Sequence, residues 1–183
     1  DTVKRIGDHL MFRCKTETIE MPDNVTVIEP AAFAVSKNLK HIKLSENLTE
    51  IGRNAFSSCI NLEKITIPSS VEKIERSAFN SAGLKEVIIP YGTKLISTSA
   101  FARCENLEAL YIPDSVDTMY QTPIYECPNA IIYCSDGSYA AQFCQEEGVS
   151  YLTDNSVNSG IHVYYNGKRI SFHSYGQNPE ILE

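Results

Sequence analysis

Apolar residues return along this chain in a fixed order and at a nearly fixed interval. The segment Leu-x-x-Ile-x-Ile-Pro ends on a marker at Pro22, Pro68, Pro90 and Pro113, with Ser45 standing in once, at spacings of 23, 23, 22 and 23 residues. Three residues after the marker come Val25, Leu48, Val71, Thr93 and Val116, and six after it come Ile28, Ile51, Ile74, Ile96 and Met119. A small-aromatic pair follows at Ala32-Phe33, Ala55-Phe56, Ala78-Phe79 and Ala100-Phe101, and becomes Pro123-Ile124 in the fifth copy. Ser36, Cys59, Ala82, Cys104 and Cys127 share the next position, and Leu39, Leu62, Leu84 and Leu107 open the copies that follow. A unit this short cannot bury its own apolar face, whereas stacked copies cover one another. The alternation before each marker predicts a short strand, which proline ends by removing a donor. Strands of successive copies should lie in register about 4.8 Å apart, with the phenylalanines as an internal spine.

The pattern changes at both ends. Residues 1–17 carry an imperfect opening turn, and 130–151 predict a closing cap of strand, turn and short helix. "DGS" is a turn and N-cap signal, Ala140, Phe143 and Cys144 share a helical face, and Gly148 ends the helix. A cap hides the last apolar rung of an open-ended array. Residues 152–160 are polar and turn-rich, a linker. Residues 161–172 alternate around Asn166-Gly167, which predicts a hairpin in a tail, 161–183, that either packs on the cap or begins a further domain.

The motif L..I.IP..V..I...AF..C..L resembles the BspA-type leucine-rich repeat of bacterial cell-surface proteins. The resemblance covers about residues 1–151, with copies at about 16–38, 39–61, 62–83, 84–106 and 107–129 and the cap at 130–151. It implies a right-handed leucine-rich-repeat β-solenoid at a bacterial cell surface. In the tail, V-x-x-NGK-x-I-x-F is similar to the start of the copper amine oxidase N-terminal-like domain, a stalk-type module; that likeness implies neither copper nor oxidase activity.

The chain has 183 residues and a formal charge of −7, from 23 acidic and 16 basic residues spread evenly. Nucleic-acid binding needs a concentrated basic face, which is missing. No apolar run is long enough to span a membrane. The sequence starts at Asp1 rather than Met, as expected of a processed or excised fragment whose signal peptide is not visible.

Candidate chemistry is sparse. The cysteines form no CxxC, and His9, His41, His162 and His173 lie at no ligand spacing from one another or from a cysteine, so no metal, cofactor or catalytic residue is expected. Cys59, Cys104 and Cys127 occupy a position that also takes Ser36 and Ala82, which predicts small, buried, inert groups. In-register side chains point the same way, which favours free thiols over a Cys104–Cys127 bridge. Asn24-Val-Thr26 and Asn47-Leu-Thr49 match the glycosylation acceptor, yet turn chemistry alone explains asparagine there.

One asymmetry bears on function. All ten tyrosines lie after residue 90. On the outward stripe of the strands, Thr18, Glu20, His41, Lys43, Lys64 and Thr66 give way to Ile88 and Tyr111, with Tyr91 in the turn beyond. Tyrosine suits interfaces, being apolar in body and polar at its tip. A partner-binding patch is therefore expected at Ile88, Tyr91 and Tyr111, with Lys64 and Glu86 at its rim. The expected function is a non-enzymatic, extracellular module that mediates adhesion to a protein or glycan on a host or neighbouring cell. The alternative is a structural spacer within a larger surface protein. Ligand and oligomeric state are not legible in the sequence.

Overall fold

The computed structural model describes residues 3–153, together with the backbones of Val163–Tyr165 and Lys168–Ile170. In chain order the strands are β1 (Arg5–Ile6), β2 (Thr18–Glu20), β3 (Val27–Ile28), β4 (His41–Lys43), β5 (Glu50–Ile51), β6 (Lys73–Ile74), β7 (Glu86–Ile88), β8 (Leu95–Ile96), β9 (Ala109–Tyr111), β10 (Thr118–Met119) and β11 (Ile131–Cys134). Helix α1 (Tyr139–Glu147) and strand β12 (Tyr151–Thr153) close the array, and β13 (Val163–Tyr165) and β14 (Lys168–Ile170) pair antiparallel.

Strands β1 to β12 stack as a parallel solenoid of six coils. One sheet runs β1-β3-β5-β6-β8-β10, with Ile6, Ile28, Ile51, Ile74, Ile96 and Met119 in one register. The opening turn is thus a coil in its own right, with Ile6 in the isoleucine column. The opposite, front side is split into a pair, β2-β4, and a sheet β7-β9-β11-β12. Between them residues 64–66 join no ladder, although the repeat pattern predicts a strand there. The break adjoins the one-residue deletion at Ala82-Gly83. A Cβ on Gly83 would lie 2.1 Å from the Ile60 carbonyl oxygen, so this turn is drawn hard against the coil before it.

A third ladder runs through the turns. Phe33, Phe56, Phe79 and Phe101 donate their N–H groups to the carbonyls of Ala55, Ala78, Ala100 and Pro123 in the next coil, at 2.7–2.8 Å. The strand ladder points the other way, as in Gly52 N–H to Ile28 O at 2.8 Å. Opposed ladders require the chain to reverse its hydrogen-bonding direction twice per coil. Left-handed residues flank each phenylalanine to do so: Ala31 and Val35, Asn54 and Ser58, Ser77 and Ser81, Ser99 and Arg103, at φ of 53° to 60°. The phenylalanine rings stack inside at 5.1, 5.3 and 5.2 Å with nearly parallel planes, and all four are buried.

The cap forms as its local signals dictate. Ser138 accepts the Ala141 N–H, and Gly148 at φ 67° donates to the Cys144 carbonyl. Ala140, Ala141, Phe143 and Cys144 are buried under the last coil. The cap also holds a second strand, β12, paired in parallel to β11, so the sheet takes in Leu152 and Thr153, where the sequence suggests a linker. The remaining linker and most of the tail, including the stalk-domain resemblance outside β13 and β14, lie outside the described residues.

Candidate functional site

The repeat geometry sorts the candidate residues. Along β7, β9 and β11 the inward positions are Val87, Leu110 and Ile132, all fully buried. The residues between them face outward in two rows. Ladder pairing puts Glu86, Ala109 and Ile131 in one row. Ile88, Tyr111, Tyr133 and Leu152 form the other. Tyr111 and Tyr133 stack at 4.8 Å with 26° between their planes. Burial holds the Tyr111 phenol well above its usual range, and the Glu86 carboxylate and Tyr133 push it the same way. The hydroxyl therefore stays neutral and acts as a hydrogen-bonding tip on an apolar row.

Of the five residues singled out from sequence, Ile88, Tyr111 and Glu86 are thus brought onto one face. Tyr91 lies in the turn beyond β7, 47% exposed. Lys64 is exposed in the segment that joins no ladder, and so is not held on the face by strand pairing. Sequence reasoning missed Ile131, Tyr133 and Leu152. The signal for them was the alternation in Ala-Ile-Ile-Tyr-Cys and Tyr-Leu-Thr, but only pairing to β9 shows which side they face. At the other end of the front side the outward positions are Thr18, Glu20, His41 and Lys43, where Lys43 pairs with Glu20 at 2.7 Å. The front is polar at its N-terminal half and apolar at its C-terminal half.

The cysteine column has a function of its own, which is structural. Cys59, Cys104 and Cys127 donate S–H to the carbonyls of Phe33, Phe79 and Phe101 at 3.1–3.2 Å, and Ser36 donates to Met11 O at 3.0 Å. All six cysteines are free. Burial pushes the Cys59 and Cys104 thiols up to about 12. Cys127 departs from expectation: it is only half-buried, because no seventh turn stacks on its outer side. Asn47 donates from Nδ2 to Asp23 O at 2.7 Å, a turn role. Among the described residues no three His, Cys, Asp or Glu side chains converge as metal ligands.

The comparisons with known proteins bear directly on this architecture. The sequence matches the family described as the BspA type leucine rich repeat region, in six copies, over residues 4–131. The chain belongs to the BspA-type leucine-rich repeat family. The sixth copy, beyond the five read from the sequence pattern, agrees with the opening coil around Ile6 and Met11. A similar fold recurs in solved structures at low identity. A leucine rich repeat protein of T. pallidum aligns at TM-score 0.63 and 22% identity, over 65% of this chain and 59% of that one. The pneumococcal vaccine antigen PcpA aligns at 0.60 and 20%, over 76% of this chain and 42% of that one. A leucine-rich repeat protein from Bacteroides ovatus aligns at 0.53 and 18%, over 85% and 57%. This chain therefore spans about half the length of these relatives. No curated protein matches the sequence.

Proposed function

We propose that this BspA-type chain is a non-enzymatic recognition module of a bacterial cell-surface protein, and that it adheres to a protein or glycan through the C-terminal half of its front face. The observation that carries this reading is the outward row Ile88, Tyr111, Tyr133 and Leu152, apolar where the equivalent N-terminal positions are charged or polar. Solvent alone would favour polarity at every coil. An apolar centre with a charged rim is the usual build of an interface, and Glu86 supplies part of that rim. A rigid solenoid binds without an ordering cost. Cell-surface placement draws on the family and on the pneumococcal antigen; no helix among the described residues is long and apolar enough to cross a membrane.

The test is an Ile88→Asp, Tyr111→Ala double variant. Both side chains lie half-buried on the outer row rather than in the core, so the variant should still unfold in one cooperative melting transition while adhesion of the purified protein to host or neighbouring cells is lost. Adhesion equal to wild type would favour the spacer reading, in which the module only positions other domains.

A further inference from the structure

The front face does not suit a protein and a glycan equally. Tyr111 and Tyr133 stack at 4.8 Å, close to the spacing of neighbouring strands, with 26° between their planes. Ile88 and Leu152 hold the paired positions on either side of them. The ring faces are therefore turned along the row, towards each other and towards these neighbours, and a partner meets ring edges. A sugar ring packs its C–H groups on an open, electron-rich aromatic face, whereas an aromatic edge carries partial positive charge.

Sugar hydroxyls also need partners once water is excluded. The adjoining outward row offers few, since Glu86 is followed by Ala109 and Ile131. A glycan laid over this face would bury hydroxyls against apolar side chains. Apolar side chains of a protein carry no such cost. Apart from the exposed Glu86, every residue of the two rows is partly exposed, so each still offers apolar surface.

Charge narrows the partner further. Residues 104–153 contain eight acidic residues and neither lysine nor arginine, so the charges that are mixed along the earlier coils are of one sign here. Glu108 directly precedes β9, Asp114 follows it, and Asp136 follows β11, all three exposed. Acids thus stand at both ends of these strands, and Glu86 lies in the face itself. Lys85, the basic residue beside Glu86, is paired with Glu63 at 2.7 Å. A border of this kind attracts and orients a basic partner and repels an acidic one. An anionic glycan is disfavoured by both the rings and the charges.

Resting on the adhesive reading of this same row, we infer that its partner is a protein surface, made of apolar side chains bordered by lysine or arginine, and not a glycan. The apolar side chains cover the row from Ile88 to Leu152, and the basic ones meet Glu86, Glu108 and Asp114.

The test uses cells to which the wild-type protein adheres, treated before the protein is added. Protease digestion of the cells should abolish adhesion. Periodate, which cleaves the vicinal diols of glycans, should leave it unchanged. A Glu108→Lys, Asp114→Lys double variant should adhere about tenfold or more weakly at about 0.05 M sodium chloride, and the difference should shrink at about 0.5 M. Asp117→Lys, at the entrance of β10 on the opposite sheet, should adhere as wild type at about 0.15 M salt. All three side chains are exposed, and melting curves of the variants confirm folding. The two ways of failing are distinct. Wild-type protein that adheres to no cell removes the adhesive reading and the partner with it. Adhesion that is lost to periodate, survives protease, or is unchanged by the double reversal leaves the adhesive reading standing and overturns the partner inferred here.

Discussion

Phe79 shows what one residue contributes to a stacked array. Its ring lies between Phe56 and Phe101 at 5.3 and 5.2 Å and is fully buried, so its removal leaves a cavity shared by three coils. Phe79→Ala should cost about 3–5 kcal/mol in urea unfolding. A loss below about 1 kcal/mol would mean that the spine is not a continuous core. The buried thiols make a second residue-scale prediction. Cys59 and Cys104 stay protonated in the fold up to about 12, whereas an unfolded thiol ionises near pH 8.5. A raised folded pKa contributes stability that is fully present below the unfolded value and is lost as pH rises through the folded one. The protein should therefore weaken progressively between about pH 8.5 and pH 12. At neutral pH a maleimide should leave Cys59 and Cys104 unreacted in the native state and label them on unfolding. Rapid native labelling of Cys104 would contradict this.

At the scale of elements, charge takes part in setting how neighbouring coils meet. Glu17, Lys40, Glu63, Lys85 and Glu108 occupy one repeat position and alternate in sign. Lys40 pairs with Glu17 at 3.0 Å and Lys85 with Glu63 at 2.7 Å. The pair holds the Glu63 carboxyl below its usual range, through the Lys85 hydrogen bond first and its charge second. These groups are solvated and each pair contributes little. A run of like charges at coil spacing is different, because the repulsions add along the column. Lys85→Glu would place three carboxylates in succession. Its melting temperature should fall by a few degrees at low salt, and about 0.5 M sodium chloride should restore most of the loss. A salt-independent loss would assign the effect to packing of the lysine stem instead.

The whole molecule behaves as a one-dimensional stack, because each coil contacts only its neighbours. Damage at one end should therefore stay local. Phe143→Ala empties the contact of α1 with the last coil, where Met119 lies in the isoleucine column. Hydrogen exchange should quicken at β10 and β11 while the amides of Phe33 and Phe56, deep in the turn ladder, keep their protection. Uniform loss of protection would mean that the array unfolds only as one cooperative unit. The same one-dimensional build lets the front face differ from end to end, polar over β2 and β4 and apolar over β7, β9, β11 and β12, without altering the core beneath.

Much of this was legible before any coordinates. The period, the inward columns, the phenylalanine spine and the cap helix follow from residue spacing, because each coil repeats the same local problem and solves it with the same residues. Ile88 and Tyr111 were legible as departures from that repetition, and Glu86 as a charged neighbour at their rim. Other features depend on what lies across the ladder. Tyr133 and Leu152 joined the apolar row only through pairing to β9 and β11, since alternation names two faces without saying which meets solvent. The left-handed residues beside each phenylalanine carry no glycine to betray them, and a donor into the neighbouring coil selects their conformation. The missing strand at 64–66 adjoins a tight approach at Gly83, and the half-exposed Cys127 reflects the end of the stack. Spacing within a repeat determines what each coil buries; contact between coils, and its absence at the last one, decides what the molecule shows to a partner.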